Sequence, residues 1–489
     1  MAELTQARTQ PPGPPGSVKP ADRPGTGVPV SGAPPTGPID RLMSLVIRKL
    51  AWSKLSDPKI AITVSGVGLL LGMLVGATAP NTATLPTRLP LSVLPSLAGD
   101  NVFTMVLLYA GDVFACLGLA GMLWAHSQGW RPQPRHLFMV SAVVVAVMVS
   151  LTPVGSSDTA SYAAYGRIAA QGGNPYLTSP QAWLHLHPGY FPYYRLIGAS
   201  WKAEPSVYGP FATAIQRFAA SIGGADPATT IWILMILNGA VFLAVGWLLL
   251  KTSDDPVRAT LFWTANPVII QQLVSGGHMD TFVAAAAICA IQVARRVSGV
   301  WGDVLIGVLV GLGVGIKATA GLVAIGLAWP MLRRGEWLRV TRIAVVSLVV
   351  VGLQYSSYGV NALKPLFAGS KWVILPSPWR LVQALGDVSI GPGATTVVIG
   401  CLWPVAMIVL AWLIYQRISS EQPREVVAPF ALTFAWVLAA PWVFPWYTAI
   451  AWVALTQVPR NRMTRWLTIV TVLLAIWHSG GGQLAPGQV

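Results

Sequence analysis

The chain is 489 residues long, 54% hydrophobic and only 10% charged, with a mean hydropathy of +0.60. Those proportions exclude a soluble globular domain, where about a quarter of residues are charged, and place the chain in a lipid bilayer. The net charge of +15 does not read as a nucleic-acid surface, which would interleave basic residues with aromatics on a soluble face; membrane topology and anionic lipid headgroups account for it.

Residues 1–40, with Pro11-Pro12-Gly13-Pro14-Pro15-Gly16 and Pro34-Pro35, lack the apolar content for a core and contain no signal-peptide h-region. They read as a disordered cytoplasmic tail. Residues 41–59, from Arg41 to Lys59, suit a basic amphipathic segment in the headgroup region, with a solvated linker as the alternative. From 60 to 478 the chain reads as a polytopic membrane domain, followed by a short tail at 479–489. Apolar runs near the spanning length of about 17–25 residues fall at 60–79, 101–125, 137–152, 228–250, 258–275, 279–296, 301–316, 317–332, 343–359, 394–416, 426–441, 446–458 and 466–478. The fold class this predicts is an all-α membrane protein with about thirteen transmembrane helices.

Short cytoplasmic loops retain Lys and Arg far more than exported ones do. With the N-terminus inside, only Arg88, Arg167, Arg195, Lys202, Arg217, Lys317, Lys364, Lys371 and Arg380 of the 32 basic residues fall outside, so that orientation is the expected one. Each of Cys116, Cys289 and Cys401 lies in a predicted span without a neighbouring Cys or His at ligand spacing, and reads as a small core residue. His185 and His187 lie two apart but complete no metal motif.

Only one exported connection is long, from Pro153 to about Asp226, and a loop of that size between membrane helices points to function. Short helices lying on the membrane face are expected there. It opens with Gly155-Ser156-Ser157-Asp158, a lone carboxylate where a membrane helix runs out. Two roles fit Asp158: a helix N-cap, or a functional group at a boundary where a carboxylate is costly unless used. Helical spacing puts Tyr162 and Tyr165 on its face. The later Trp183, Tyr190, Tyr193, Tyr194, Trp201 and Tyr208 suit either an interfacial aromatic girdle or stacking on sugar rings.

The next outward turn reads Asn266-Pro267, then Ser275-Gly276-Gly277-His278-Met279-Asp280. It brings a second ionisable cluster to the same side, and two such turns on one face suit a shared cleft. Lys317 interrupts an apolar run that must break there if it is two helices; its ammonium could grip a lipid phosphate or snorkel to the interface. Further out lie Trp372, Trp379 and Arg380, and the rigid aromatic corner Pro441-Trp442-Val443-Phe444-Pro445-Trp446-Tyr447.

The ordered series Asp158-(x3)-Tyr162-Ala163-Ala164-Tyr165-Gly166, Gly173-Asn174-Pro175-Tyr176, Tyr208-Gly209-Pro210, Asn266-Pro267, Gly277-His278-Met279-Asp280, Lys317 and Pro445-Trp446-Tyr447 resembles the actinobacterial polyprenol-phosphomannose-dependent α-1,6-mannosyltransferases. The resemblance covers residues from about 60 to 478. It implies a GT-C-like polytopic bundle with short extracytoplasmic juxtamembrane helices, in which 153–226 is the main catalytic loop, set in the plasma membrane with its active site outside. Met279 stands where that family commonly has Asn, which takes any side-chain amide role from this position.

The resemblance further implies a polyprenyl-phosphate-mannose donor and a mannose-bearing lipoglycan acceptor. A donor that reaches the cleft through the outer leaflet needs no dinucleotide-binding unit, and no Gly-rich fingerprint occurs. Asp158 would be the general base of an inverting transfer. His278 and Asp280 would orient hydroxyls, and Lys317, with Arg167, would neutralise the departing phosphate. Tyr162, Tyr165, Trp446 and Tyr447 would complete the substrate contacts. Neither cofactor nor metal is expected, since the leaving group is already a lipid phosphate. The same enzyme class acting on an arabinosyl or glucosyl donor is an alternative. So is a secondary transporter or flippase, for which Asp112, deep in a span, is the best-fitting residue.

Overall fold

Glycine decides how closely the first two long helices meet. In the computed structural model, which describes residues 52–97, 101–363, 372–374, 377–418 and 423–478, helix α1 (Pro58–Ala77) is capped by Asp57, whose carboxylate accepts from Lys59 N at 2.8 Å. Helix α2 (Asn101–Ser127) packs along it. A Cβ on Gly68 would stand 2.6 Å from the Ala115 backbone nitrogen, and one on Gly118 would collide with Ser65, so the two backbones touch as small-residue membrane helices do. The tails expected at 1–40 and 479–489, and residues 41–51, lie outside the described residues. From Ser53 onward the chain forms one unit.

Helix α3 (Pro134–Met148) leads into the long connection. That connection folds, as expected, into short helices: α4 (Asp158–Ala170), the pieces Pro180–Leu186, Pro188–Tyr190, Phe191–Tyr194 and Ala199–Trp201, and α5 (Pro210–Gly223). Asp226 then starts α6 (Pro227–Thr252), accepting from Ala228 N at 3.1 Å and Thr229 N at 3.0 Å, with Pro at the first position where no N–H is needed. Next come α7 (Asp280–Arg296), α8 (Gly299–Val314), α9 (Gly321–Arg333), α10 (Trp337–Ser356), α11 (Trp379–Ser389), α12 (Pro392–Arg417), α13 (Arg424–Ala439) and α14 (Met463–His478). Among the described residues there is no strand, only an isolated bridge between Thr84 and Val154.

The protein is a helical membrane protein. Helices α1, α2, α6, α10 and α12 are long and apolar enough to cross a bilayer; α3, α8, α14 and the stretch Ala318–Arg333 are apolar but shorter. Helices α10 and α12 leave most of their apolar residues uncovered, among them Leu348, Leu353, Val397 and Ile408, the pattern of helices whose outer face meets lipid. Near their N-terminal ends α8 and α10 are riveted by Asp303, fully buried, which accepts from Arg339 Nε at 3.0 Å and Arg342 Nε at 2.9 Å.

The described helices do not amount to thirteen of spanning length, and 258–275 is not one span. It divides into Pro256–Phe262, capped by Asp255, then Pro267–Ile269, capped by Asn266, then a π-helical turn over Ile270–Ser275. Pro267 has no N–H to continue the ladder, and the Asn266 side chain takes Val268 N at 3.1 Å and Ile269 N at 3.2 Å instead. The stretch 446–458 is likewise a short 3-10 turn followed by Ala449–Leu455. The break expected at Lys317 is present: α8 ends at Val314, Lys317 is extended, and α9 begins at Gly321.

Candidate active site

Ser157 holds the N-cap position of α4, and Asp158 is its first residue. Its carboxylate turns away from the helix's free N–H groups: Oδ2 accepts from the Tyr162 hydroxyl at 3.2 Å, one turn on, and lies 3.3 Å from Nδ1 of His278. Asp158 is therefore not the N-cap of α4, a position Ser157 holds. Burial pushes the Asp158 carboxyl up, but the nearness of His278, the charge of Lys317 and the Tyr162 hydroxyl outweigh it and hold the group below the ordinary carboxylate value. The same burial, with the Asp158 charge beside it, raises Tyr162 well above the ordinary phenol value.

His278 reaches Asp158 because Gly277 precedes it. Gly277 has φ +66°, and a Cβ there would collide with Thr159 in the first turn of α4; only glycine lets the two chain segments lie flush. The imidazole is then fixed twice over. Its backbone carbonyl accepts from Asn238 Nδ2 at 2.7 Å, and its ring stacks on Trp446 with centroids 3.6 Å apart and planes 11° apart. Nδ1 is buried and makes no well-formed hydrogen bond within the protein, its nearest acceptor being the Asp158 carboxylate.

A second ion pair stands beside the first. Lys317 Nζ donates to both carboxylate oxygens of Asp280, at 3.0 and 3.2 Å, and lies 3.4 Å from the ring centroid of Tyr447. Asp280 is 1% exposed and Lys317 14%. Tyr208 joins the two halves: its hydroxyl bonds that of Tyr162 at 2.8 Å, and its ring lies 5.9 Å from Lys317 Nζ. The loop carrying Lys317 is pinned to α5, since Gly209 N donates to Ile316 O at 2.9 Å and Phe211 N to Gly315 O at 2.7 Å. Residues that are 122 positions or more apart in part of this set, from Asp158 through Asp280 to Lys317 and Tyr447, thus form one cluster.

One expected member lies elsewhere. Arg167 is nine residues beyond Asp158, and at about 100° per residue it projects from the opposite side of α4, beside Tyr193. Tyr165 stays near Asp158 but gives its hydroxyl to the Glu204 carbonyl at 2.9 Å, so it braces the loop. Trp446 is no open platform for a sugar ring: it packs parallel to both His278 and Phe444, the latter at 4.7 Å. Sequence offers Tyr208 only as a girdle or sugar-stacking aromatic and does not single out Asn238, Gln271 or Gln272. Two amides in an apolar stretch were the available signal.

The turn opens beside the cluster onto a small cleft of about 30 Å³, lined by Leu108, Asp112, Val154, Gly155, Gln271, Gln272, Ser275, Gly276, His278, Trp446 and His478. Asp112 and His278 thus line the same cleft.

Residues 62–333 match the family described as alpha-(1->6)-mannopyranosyltransferase, N-terminal domain, and that is more than half of the chain. The chain belongs to this family. Similar relatives include the alpha-(1->6)-mannopyranosyltransferase A of Corynebacterium glutamicum, 20% identical over 76% of this chain and 88% of its own length. The alpha-(1->6)-mannopyranosyltransferase A of Mycobacterium tuberculosis is 24% identical over 64% of each chain, and the alpha-(1->6)-mannopyranosyltransferase B of Corynebacterium glutamicum 24% over 64% of this chain and 57% of its own. The chain thus spans less than two thirds of the latter two. No solved structure matches it. Membership of the alpha-(1->6)-mannopyranosyltransferase family makes the protein a glycosyltransferase rather than a transporter.

Proposed function

We propose that the protein transfers mannose from a polyprenyl-phosphate-mannose donor to a mannose-containing lipoglycan, forming an α-1,6 linkage on the extracytoplasmic face of the plasma membrane. What supports the chemistry most directly is one arrangement: a carboxylate paired with His278 and an ammonium paired with Asp280, both bordering Tyr208. A base and a cation side by side are what displacement of a phosphate at a sugar carbon requires. The acceptor hydroxyl gives its proton to Asp158 as its oxygen bonds the anomeric carbon. The bond from that carbon to the phosphate oxygen breaks with its electron pair, and polyprenyl phosphate leaves with inversion at the sugar.

Each neighbour has a task in this reading. Asp158 sits below the ordinary carboxylate value and is therefore ionised and ready to accept. His278 and Tyr162 fix its direction. Lys317 has three N–H groups and can turn one to the phosphate while Asp280 keeps it in place. Tyr447 beneath the ammonium holds it without neutralising it. The test incubates membranes carrying the full chain with radiolabelled polyprenyl-phosphate mannose and a short α-mannoside. Wild type forms product and Asp158→Asn loses about 10²-fold or more in rate, the scale of removing a general base; equal turnover in both removes Asp158 from the mechanism.

A further inference from the structure

An asparagine near the middle of a membrane helix needs a reason, because an unbonded amide at that depth is costly. Asn238 is the twelfth of the 26 residues of α6 and is 1% exposed. Both ends of its amide are used, and on one neighbouring segment. Nδ2 donates to the His278 carbonyl at 2.7 Å, and Oδ1 accepts from the Thr281 hydroxyl at 3.3 Å. The four residues spanned by these bonds, His278-Met279-Asp280-Thr281, include one member of each ion pair in the cluster.

The segment does not lock itself. Helix α7 begins at Asp280, and Met279 ahead of it supplies no side-chain cap, unlike Asp226 at the start of α6. Close packing holds the turn before it: a Cβ on Gly277 would collide with Thr159 of α4 and stand 2.6 Å from Sδ of Met235, three residues before Asn238 on α6. Such contact sets how near the turn lies to α6, but van der Waals attraction has no direction and resists sliding weakly. Two hydrogen bonds from one planar amide do have direction. We propose that Asn238 is a positioning residue for the transfer: it fixes the register of His278–Thr281 along α6, and so places His278 against Asp158 and Asp280 against Lys317 together. Its amide is spent on the protein, so it acts through the two pairs and not on a substrate. The inference rests on the mannosyl-transfer reading for what the pairs do, and on the two bonds for their placement.

The test uses the full chain in detergent and two readouts: transfer from radiolabelled polyprenyl-phosphate mannose to a short α-mannoside, normalised to folded protein, and amide hydrogen exchange over residues 278–283. Asn238→Leu keeps the bulk and removes both bonds. It is expected to lower kcat about 10²-fold, the scale of a small misplacement of reacting groups, with both KM values within about twofold and with faster exchange in the segment. Thr281→Val removes one bond and should lose about tenfold in kcat, which Thr281→Ser, by restoring the hydroxyl, should recover. In a His278→Ala background the loss from Asn238→Leu should be at least about threefold smaller, because the two act through one path. A strut without a positioning role would lower only the yield of folded protein. Wild-type kcat in folded Asn238→Leu therefore overturns the inference, as does an undiminished loss in the His278→Ala background. No transfer by wild type would instead sink the mannosyl reading; exchange then decides, faster exchange in Asn238→Leu supporting the register role and unchanged exchange overturning it. Should Asn238→Leu fail to fold, the Thr281→Val and Thr281→Ser pair decides alone.

Discussion

Removing the Lys317 ammonium separates a structural role from a chemical one, because the pair it forms is nearly dry. Asp280 is 1% exposed and its oxygens lie 3.0 and 3.2 Å from Nζ. At 3.0 Å and an effective dielectric of about 20, Coulomb attraction is about 5 kcal/mol, much of it offset by the desolvation of both ions. Lys317→Met leaves the Asp280 carboxylate buried and alone, which costs about 3–5 kcal/mol. The double variant Lys317→Met with Asp280→Asn removes both charges and should recover at least half of that loss. Transfer should behave otherwise: without the cation, both variants lose about 10²–10³-fold in kcat, the scale of one lost electrostatic stabiliser. Thermal unfolding in detergent, read by intrinsic fluorescence, measures the first quantity, and radiolabelled transfer normalised to folded protein measures the second. If transfer returns with stability in the double variant, Lys317 is only a strut and the phosphate role assigned to it is wrong. If the single variant loses no stability, the pair is not the buried one described.

Two further outcomes follow from the same geometry. Tyr162→Phe removes a donor to Asp158, one of the influences that hold its carboxyl down, so the acid limb of kcat/KM should move to higher pH. A depressed carboxylate adds stability that is complete above its unfolded value and lost as pH falls through the folded one, so the variant's acid unfolding should also begin at higher pH; an unmoved limb in both would remove Tyr162 from the control of Asp158. Gly209→Ala forces a methyl onto the Gly315 carbonyl oxygen, where backbone must give way at about 1–3 kcal/mol. Since Lys317 follows two residues later, transfer should fall more than stability does. Gly352→Ala in α10, with open space at its Cβ, should leave both as they are, and equal effects at the two positions would refute the argument.

Much of the architecture was legible because its signals are local. The Asp226-Pro227 start of α6 and the Lys317 break are matters of one cap and one charge, and both stand where the sequence puts them. The meeting of Asp158 with His278 across 120 residues was legible only through the order and sidedness of short motifs. Three things were not. A π-turn has no composition of its own, so Gln271 and Gln272 looked like polar residues in a span. Trp446 reads the same on paper whether it stacks on a sugar or on His278, because residue type says nothing of which face is already covered. Arg167 was grouped with Lys317 by charge, although nine residues of helix turn a side chain to the far side; there the angle outweighed the charge.

The site's position has a cause in the bilayer itself. Lipid cannot satisfy a free backbone N–H or carbonyl, so a helix may break only where protein or water covers the break. The long helical runs break at 149–157, 263–279, 315–320 and 440–448, and protein covers parts of these breaks: Val154 N donates to Ser275 O at 3.1 Å, while Gly209 N and Phe211 N, at the start of α5, satisfy the carbonyls of Ile316 and Gly315. Asp158, His278, Lys317 and Trp446 each sit within or one residue beyond such a break. Breaks driven together by unsatisfied backbone bring their polar side chains with them. The gathering of charge in the cluster is thus a by-product of the rule that keeps the fold in the membrane.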